Sequence, residues 1–119
     1  MVMSIEIGID CNDPERLAPF WAAALGYAVG DLDAAGTYLD LVPPGRLYPV
    51  VYLQRVSEPK ITKNRLHLDL VVADPAGEVA RLTDLGASSA GDPQTGSEGG
   101  WGQVMTDPDG NELCVCAAG

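Results

Sequence analysis

The sequence predicts an α+β protein made of two βαβββ modules, and three observations lead there. The stretch Ile5-Glu6-Ile7-Gly8-Ile9-Asp10-Cys11-Asn12-Asp13-Pro14 aligns without gaps with Leu66-His67-Leu68-Asp69-Leu70-Val71-Val72-Ala73-Asp74-Pro75, placing Asp-Pro over Asp-Pro and Glu6 over His67. A chain that repeats its sequence repeats its structure. Each copy then runs from an apolar extended segment into an apolar stripe at helical spacing, and each stripe closes on a glycine, Gly26 or Gly86. At 119 residues and 46% hydrophobic content the chain can bury one real core, so it is expected to form a single domain. Module one covers 1–56, a linker 57–64, and module two 65–119.

From Ser4 to Cys11 the residues alternate, with Ile5, Ile7, Ile9 and Cys11 on one row and Ser4, Glu6, Gly8 and Asp10 on the other, as in a half-buried strand. Asp13 caps the following helix, Pro14 suits its first position, and Leu17, Phe20, Trp21, Ala24 and Leu25 form its buried stripe. Pro19 lacks an amide hydrogen, so a bend or an irregular first turn is expected there. Three extended pieces follow, roughly Tyr27 to Gly30, Thr37 to Val42 and Tyr48 to Val56, separated by turn-forming residues. The second module repeats this order. A strand runs from Arg65 to Ala73, with Leu66, Leu68, Leu70 and Val72 facing the helix. Asp74 and Pro75 open a helix whose stripe is Val79, Leu82 and Leu85. A short piece lies near Ala87 to Ala90, and strands run from Trp101 to Thr106 and from Asn111 to Cys116. Asp107-Pro108-Asp109-Gly110-Asn111 joins the last two as a hairpin turn. The loop from Gly91 to Gly102 holds five glycines but no phosphate-binding pattern. It reads either as a mobile lid or as a plain hairpin loop.

Seven Lys+Arg against 17 Asp+Glu give a formal net charge of -10. That balance argues against nucleic acid and against anionic membranes as partners, and favours a cationic small molecule or a metal ion. Cys11, Cys114 and Cys116 are odd in number and contain no Cys-x-x-Cys pair, so reduced thiols are expected. The first residues show no targeting signal and no stretch reaches transmembrane length. A cytoplasmic protein is the expectation.

Strand parity brings chemistry together. With the aliphatic rows turned to the helices, Glu6, Gly8 and Asp10 face the other way, as do His67, Asp69 and Val71. Tyr52 and Gln54 share a row in the fourth strand, and Glu112, Cys114 and Cys116 share one in the last. If the sheet curls with this side inward, Glu6, Gln54, His67 and Glu112 converge as oxygen and nitrogen donors fit for a divalent ion. Spacing alone favours a hydrogen-bonded structural histidine and a solvated Glu6 over a metal site. Trp101 is either a core anchor or a pocket wall. Cys114 either lines the cavity or is an inert buried thiol.

Asp13-Pro14-Glu15-Arg16-Leu17 with Phe20-Trp21 and Leu25-Gly26-Tyr27, then Leu66-His67-Leu68-Asp69-Leu70, Leu85-Gly86-Ala87 and Asp107-Pro108-Asp109-Gly110-Asn111-Glu112-Leu113 resemble the vicinal-oxygen-chelate superfamily. The likeness is to its glyoxalase-like and bleomycin-resistance-like members, in the family order over nearly the whole chain. The resemblance implies two modules forming a cupped, incomplete mixed β-barrel with helices outside, around a small-molecule site. In metal-using relatives the ligands fall at positions matching Glu6, Gln54, His67 and Glu112. The ion would be Zn, Ni, Co, Mn, Fe or Mg. Glu6 stands where many relatives carry His or Gln, and Gln54 where glyoxalase I carries Glu. A ring-cleaving dioxygenase would require two histidines, and His67 is the only one. The resemblance therefore implies either a metal-dependent lyase or isomerase that stabilises an enediolate, with Glu112 or Glu6 moving the proton, or a metal-free protein that sequesters a drug or metabolite. Tyr52, Asp69, Trp101 and Cys114 are the further pocket candidates. A homodimer is expected by the same analogy.

Overall fold

Alternation in the first segment folds as β1, Glu6–Cys11, in which Ile7 and Ile9 turn inward and Glu6, Gly8 and Asp10 outward. The structure is a computed structural model that describes residues 1–45, 49–95 and 100–118. The chain divides into two units, Met1–Lys60 and Ile61–Gly119.

In the first unit, α1 spans Pro14–Leu25. Asp13, in extended backbone, caps it by accepting the Arg16 N–H at 3.3 Å, and Gly26 ends it in the left-handed conformation at φ 72°. The cap fills one of the amides that a helix start leaves without a partner, and glycine takes a φ that a side chain would strain. Leu17, Ala18, Phe20, Trp21 and Ala22 are buried on its inner stripe. The Phe20 and Trp21 rings meet edge to face at 5.4 Å. The helix runs on through Pro19, which lies on its exposed side.

Three strands complete the unit: β2, Ala28–Leu32; β3, Tyr38–Val42; and β4, Val50–Arg55. The sheet order is β1-β4-β3-β2, with β1 parallel to β4 and the other pairs antiparallel. Leu39, Leu41, Val51 and Leu53 are buried on the side of α1. Tyr38, Asp40, Tyr52 and Gln54 therefore occupy the opposite face. Tyr48, expected to open the fourth strand, lies outside the described residues. The unit is tied at one end by Arg55, which donates to the carbonyls of Gly36 and Asn12, both at 2.9 Å, and by Asn12, which donates to those of Val56 and Glu58.

The second unit contains β5, Leu68–Val72; α2, Pro75–Asp84; β6, Ser88–Ser89; β7, Gln94–Thr95; β8, Trp101–Thr106; and β9, Glu112–Ala117. Its order is β5-β9-β8-β6, with β7 also on β8, and β5 is parallel to β9 as β1 is to β4. The chain is thus α+β with two mixed βαβββ-type sheets. One outer strand of the second copy is split into two short pieces, because Gly91 at φ 79° and Pro93 break the extended run. The lid-or-hairpin stretch is, over its described residues, the β7–β8 hairpin; residues 96–99 lie outside them.

Three sequence expectations need correction here. The strand expected from Ser4 begins at Glu6, and Ile5, assigned to the buried row, is exposed. The strand expected from Arg65 begins at Leu68, and Leu66, assigned to the helix-facing row, is 89% exposed. β9 starts at Glu112 and its pairing with β5 starts at Leu68 and Leu113, so Leu66 has no strand beside it. Leu85 likewise lies past the end of α2 and is exposed, leaving Leu82 as the fully buried residue of that stripe. Ala87, Met105, Leu113 and Val115 complete this core. Among the described residues no helix is long and apolar enough to cross a membrane.

Candidate functional site

The outward face of each sheet carries most of the residues singled out by sequence, Trp101 and His67 excepted, and each unit holds a distinct set. In the first, parallel register pairs Glu6 with Val50, Gly8 with Tyr52 and Asp10 with Gln54. Gln54 therefore stands beside Asp10, four residues along from Glu6, or about 13 Å at the usual strand rise. Ligands of one ion sit within ~2.0–2.6 Å of it, so this spacing does not offer Glu6 and Gln54 as neighbouring donors. What the register does assemble is aromatic. Tyr52 lies over Gly8 so closely that a methyl group there would come within 2.6 Å of its Cζ and Oη. Its ring meets that of Tyr38 edge to face, with centroids 6.0 Å apart. Asp40 pairs with Tyr52 and Tyr38 with Gln54, so Glu6, Asp10 and Asp40 flank the two rings on one face. At the rim, the Asp33 carboxylate accepts the N–H groups of Thr37 at 2.7 Å and Tyr38 at 3.1 Å. The Tyr38 and Thr37 bonds hold its carboxyl below the ordinary aspartate value, partly opposed by desolvation.

In the second unit, His67 lies just before β5 and its Nδ1 is 2.9 Å from Asp69 Oδ1. Glu112 opens β9 and is held by Asn64. The Asn64 backbone N–H donates to Glu112 Oε2 at 3.1 Å. Its side-chain amide, in the orientation that satisfies both its atoms, donates to the same oxygen at 2.7 Å and accepts the Glu112 N–H at 3.3 Å. Asp69 is in register with Cys114, and Val71 with Cys116. The thiols of Cys114 and Cys116 lie 3.5 Å apart. Burial pushes the Cys114 thiol up to about 11, helped by the hydrogen bond and charge of Cys116 and the charge of Asp69, against a smaller lowering by the Gln103 backbone. Trp101 shares its row with buried Gln103 and Met105 and so sits on the opposite face from Cys114.

Sequence reasoning did not single out Tyr38, Asp40 or Asn64, and left Cys116 outside the pocket set. Period-two parity would have found the first two and Cys116. No local signal marks Asn64, because its partner is 48 residues away.

The sequence profile of the glyoxalase-like domain family matches residues 6–116. The chain belongs to that family. Solved structures share the glyoxalase/bleomycin-resistance fold with this glyoxalase-like chain. A glyoxalase/bleomycin resistance protein/dioxygenase family enzyme from Burkholderia phytofirmans PsJN superposes with a TM-score of 0.75 at 13% identity, covering 94% of this chain and 95% of the other. A member of the same superfamily from Sphaerobacter thermophilus DSM 20745 gives 0.73 at 21% identity, covering 99% and 98%. The lactoylglutathione lyase of Agrobacterium tumefaciens gives 0.67 at 16%, covering 98% and 95%. Among curated proteins none matches the sequence. Identities this low carry the fold and leave the chemistry to this chain's own residues.

Proposed function

We propose that this glyoxalase-like protein binds a small organic cation with a flat apolar body on the outward face of its first sheet, and sequesters it without transforming it. The observation that carries this reading is the Tyr38–Tyr52 ring pair over Gly8, flanked by Glu6, Asp10 and Asp40. Aromatic faces attract a cation through their quadrupole, by about 0.5–2 kcal/mol per ring. Carboxylates beside them add a screened attraction, and the net charge of -10 raises the local concentration of cations. The metal-dependent lyase or isomerase reading draws less support. Glu6 and Gln54 are out of register, and Glu112 already accepts two hydrogen bonds from Asn64 on one oxygen.

The test is calorimetry and thermal shift with a panel of planar organic cations, repeated on Tyr52→Ala and Asp40→Asn. A binder that stabilises the wild type and loses about 5–30-fold affinity in each variant supports the proposal. No stabilisation across the panel would sink it. So would turnover of the hemithioacetal of a 2-oxoaldehyde and a thiol on adding Zn, Ni, Co, Mn, Fe or Mg that is lost in Glu6→Ala and Glu112→Gln.

A further inference from the structure

The second sheet carries a set of donors that the proposed binding face does not use. Cys114 and Cys116 alternate onto one face of β9, with sulfurs 3.5 Å apart, and Asp69 pairs in register with Cys114 on β5. One ligand atom from each of the three lies within 4.8 Å of the others. Gly102 on β8 pairs with Cys116, and even a methyl at Gly102 would meet Cys114 Sγ only in ordinary contact, at 3.6 Å.

We propose that Cys114, Cys116 and Asp69 bind a thiophilic d10 divalent cation of the zinc or cadmium class, with His67 positioning Asp69. A tetrahedral ion with ~2.3 Å metal–sulfur bonds sets its two sulfurs about 3.8 Å apart, close to the separation already present. A disulfide demands a sulfur separation of about 2.05 Å and Cα atoms within about 6.8 Å. Residues two apart on an extended strand stand at that upper limit with parallel Cβ directions, so chelation is the better use of this pair. Soft thiolates select zinc-class ions over magnesium or calcium, and the carboxylate completes a mixed sulfur and oxygen set. His67 holds Asp69 through the 2.9 Å contact at Nδ1, the outer-sphere arrangement that fixes a ligand's orientation. On binding, each thiol releases its proton to solvent as its sulfur takes up the ion. The remaining coordination position stays open to water or to a small thiol or oxygen donor. This site involves none of Tyr38, Tyr52 or Glu6 and stands independently of the organic-cation reading.

The experiment is a titration of reduced, tag-free, metal-stripped full chain with Cd2+, followed by sulfur-to-metal charge-transfer absorption, with competition by Zn2+. One equivalent is expected to produce the band, and Zn2+ to bleach it. Cys114→Ser and Cys116→Ser, which replace only one atom, should each abolish it. His67→Ala should weaken binding by about 10–100-fold, while Cys11→Ser leaves it unchanged. In the wild type, bound Zn2+ should also protect Cys114 and Cys116 from alkylation read by mass spectrometry, which needs no variant to fold. A missing band at stoichiometric Cd2+, a band that survives in the Cys114→Ser/Cys116→Ser double variant, or no protection by Zn2+ would overturn the proposal.

Discussion

Removing the Asp107 carboxylate should destabilise the second unit in a graded way that its hydrogen bonds determine. Asp107 is 3% exposed, and its Oδ1 receives two backbone N–H groups, that of Asp109 at 2.8 Å and that of Asn111 at 3.0 Å. Its own N–H donates to the Asn111 carbonyl at 2.8 Å, and Gly110, at φ 96°, closes the turn onto the Asp107 carbonyl at 2.9 Å. Bonds to a charged acceptor contribute about 1.5–3 kcal/mol each and neutral ones about 0.5–1.5 kcal/mol. Asp107→Asn keeps an acceptor oxygen and loses the charge, so over the two bonds it should cost about 2–3 kcal/mol; Asp107→Ala leaves both amides to whatever water reaches them and should cost about 3–6 kcal/mol. Urea unfolding followed by far-ultraviolet circular dichroism gives both values, provided the denaturant slope stays constant. Hydrogen exchange at the Asp109 and Asn111 amides should rise in the same order. If both variants fall within about 0.5 kcal/mol of wild type, or if Asn is the worse of the two, the carboxylate is not what holds the turn. The turn also sets where β9 begins, so its loss would release Glu112 from Asn64.

Three further outcomes are expected. Gly8→Ala should move the Tyr52 ring and cost about 0.5–1.5 kcal/mol of ring contact, offset by about 0.5–1 kcal/mol from removing a strand glycine. Stability should then stay within about 1 kcal/mol while near-ultraviolet tyrosine ellipticity changes and organic-cation binding falls. Leu82→Ala empties the centre of the second unit's core and should cost about 2–5 kcal/mol by denaturant titration. The fold holds the Cys114 proton more tightly than the unfolded chain, so the stability this contributes is intact below pH 9.0 and is lost as pH rises toward about 11. Wild type should therefore lose about 1–2 kcal/mol more than Cys114→Ala across that window, the value being reduced for solvent screening. Equal pH slopes for the two proteins would count against the shift.

Much of this protein is decided locally. The Asp-Pro pairs start both helices because a carboxylate caps free amides and proline has the φ of a first helical residue, and α1 and α2 begin at Pro14 and Pro75. Period-two alternation set the inward and outward rows of β1, β4 and β9, so the sequence alone determined which side chains share a face. It also determined the βαβββ repeat, since the two copies carry the same order of caps, stripes and turns. Register was beyond its reach. Whether Gln54 stands beside Glu6 or beside Asp10 depends on the length and path of the chain between β1 and β4, and a parallel pair has no hairpin turn to fix its alignment. The same holds for Leu66, whose exposure follows from where β9 begins, and for Asn64 on Glu112. Only the tertiary structure could place Tyr52 over Gly8, or set Asp69 in register with Cys114 beside the Cys116 thiol, because these contacts join residues from strands distant in the chain.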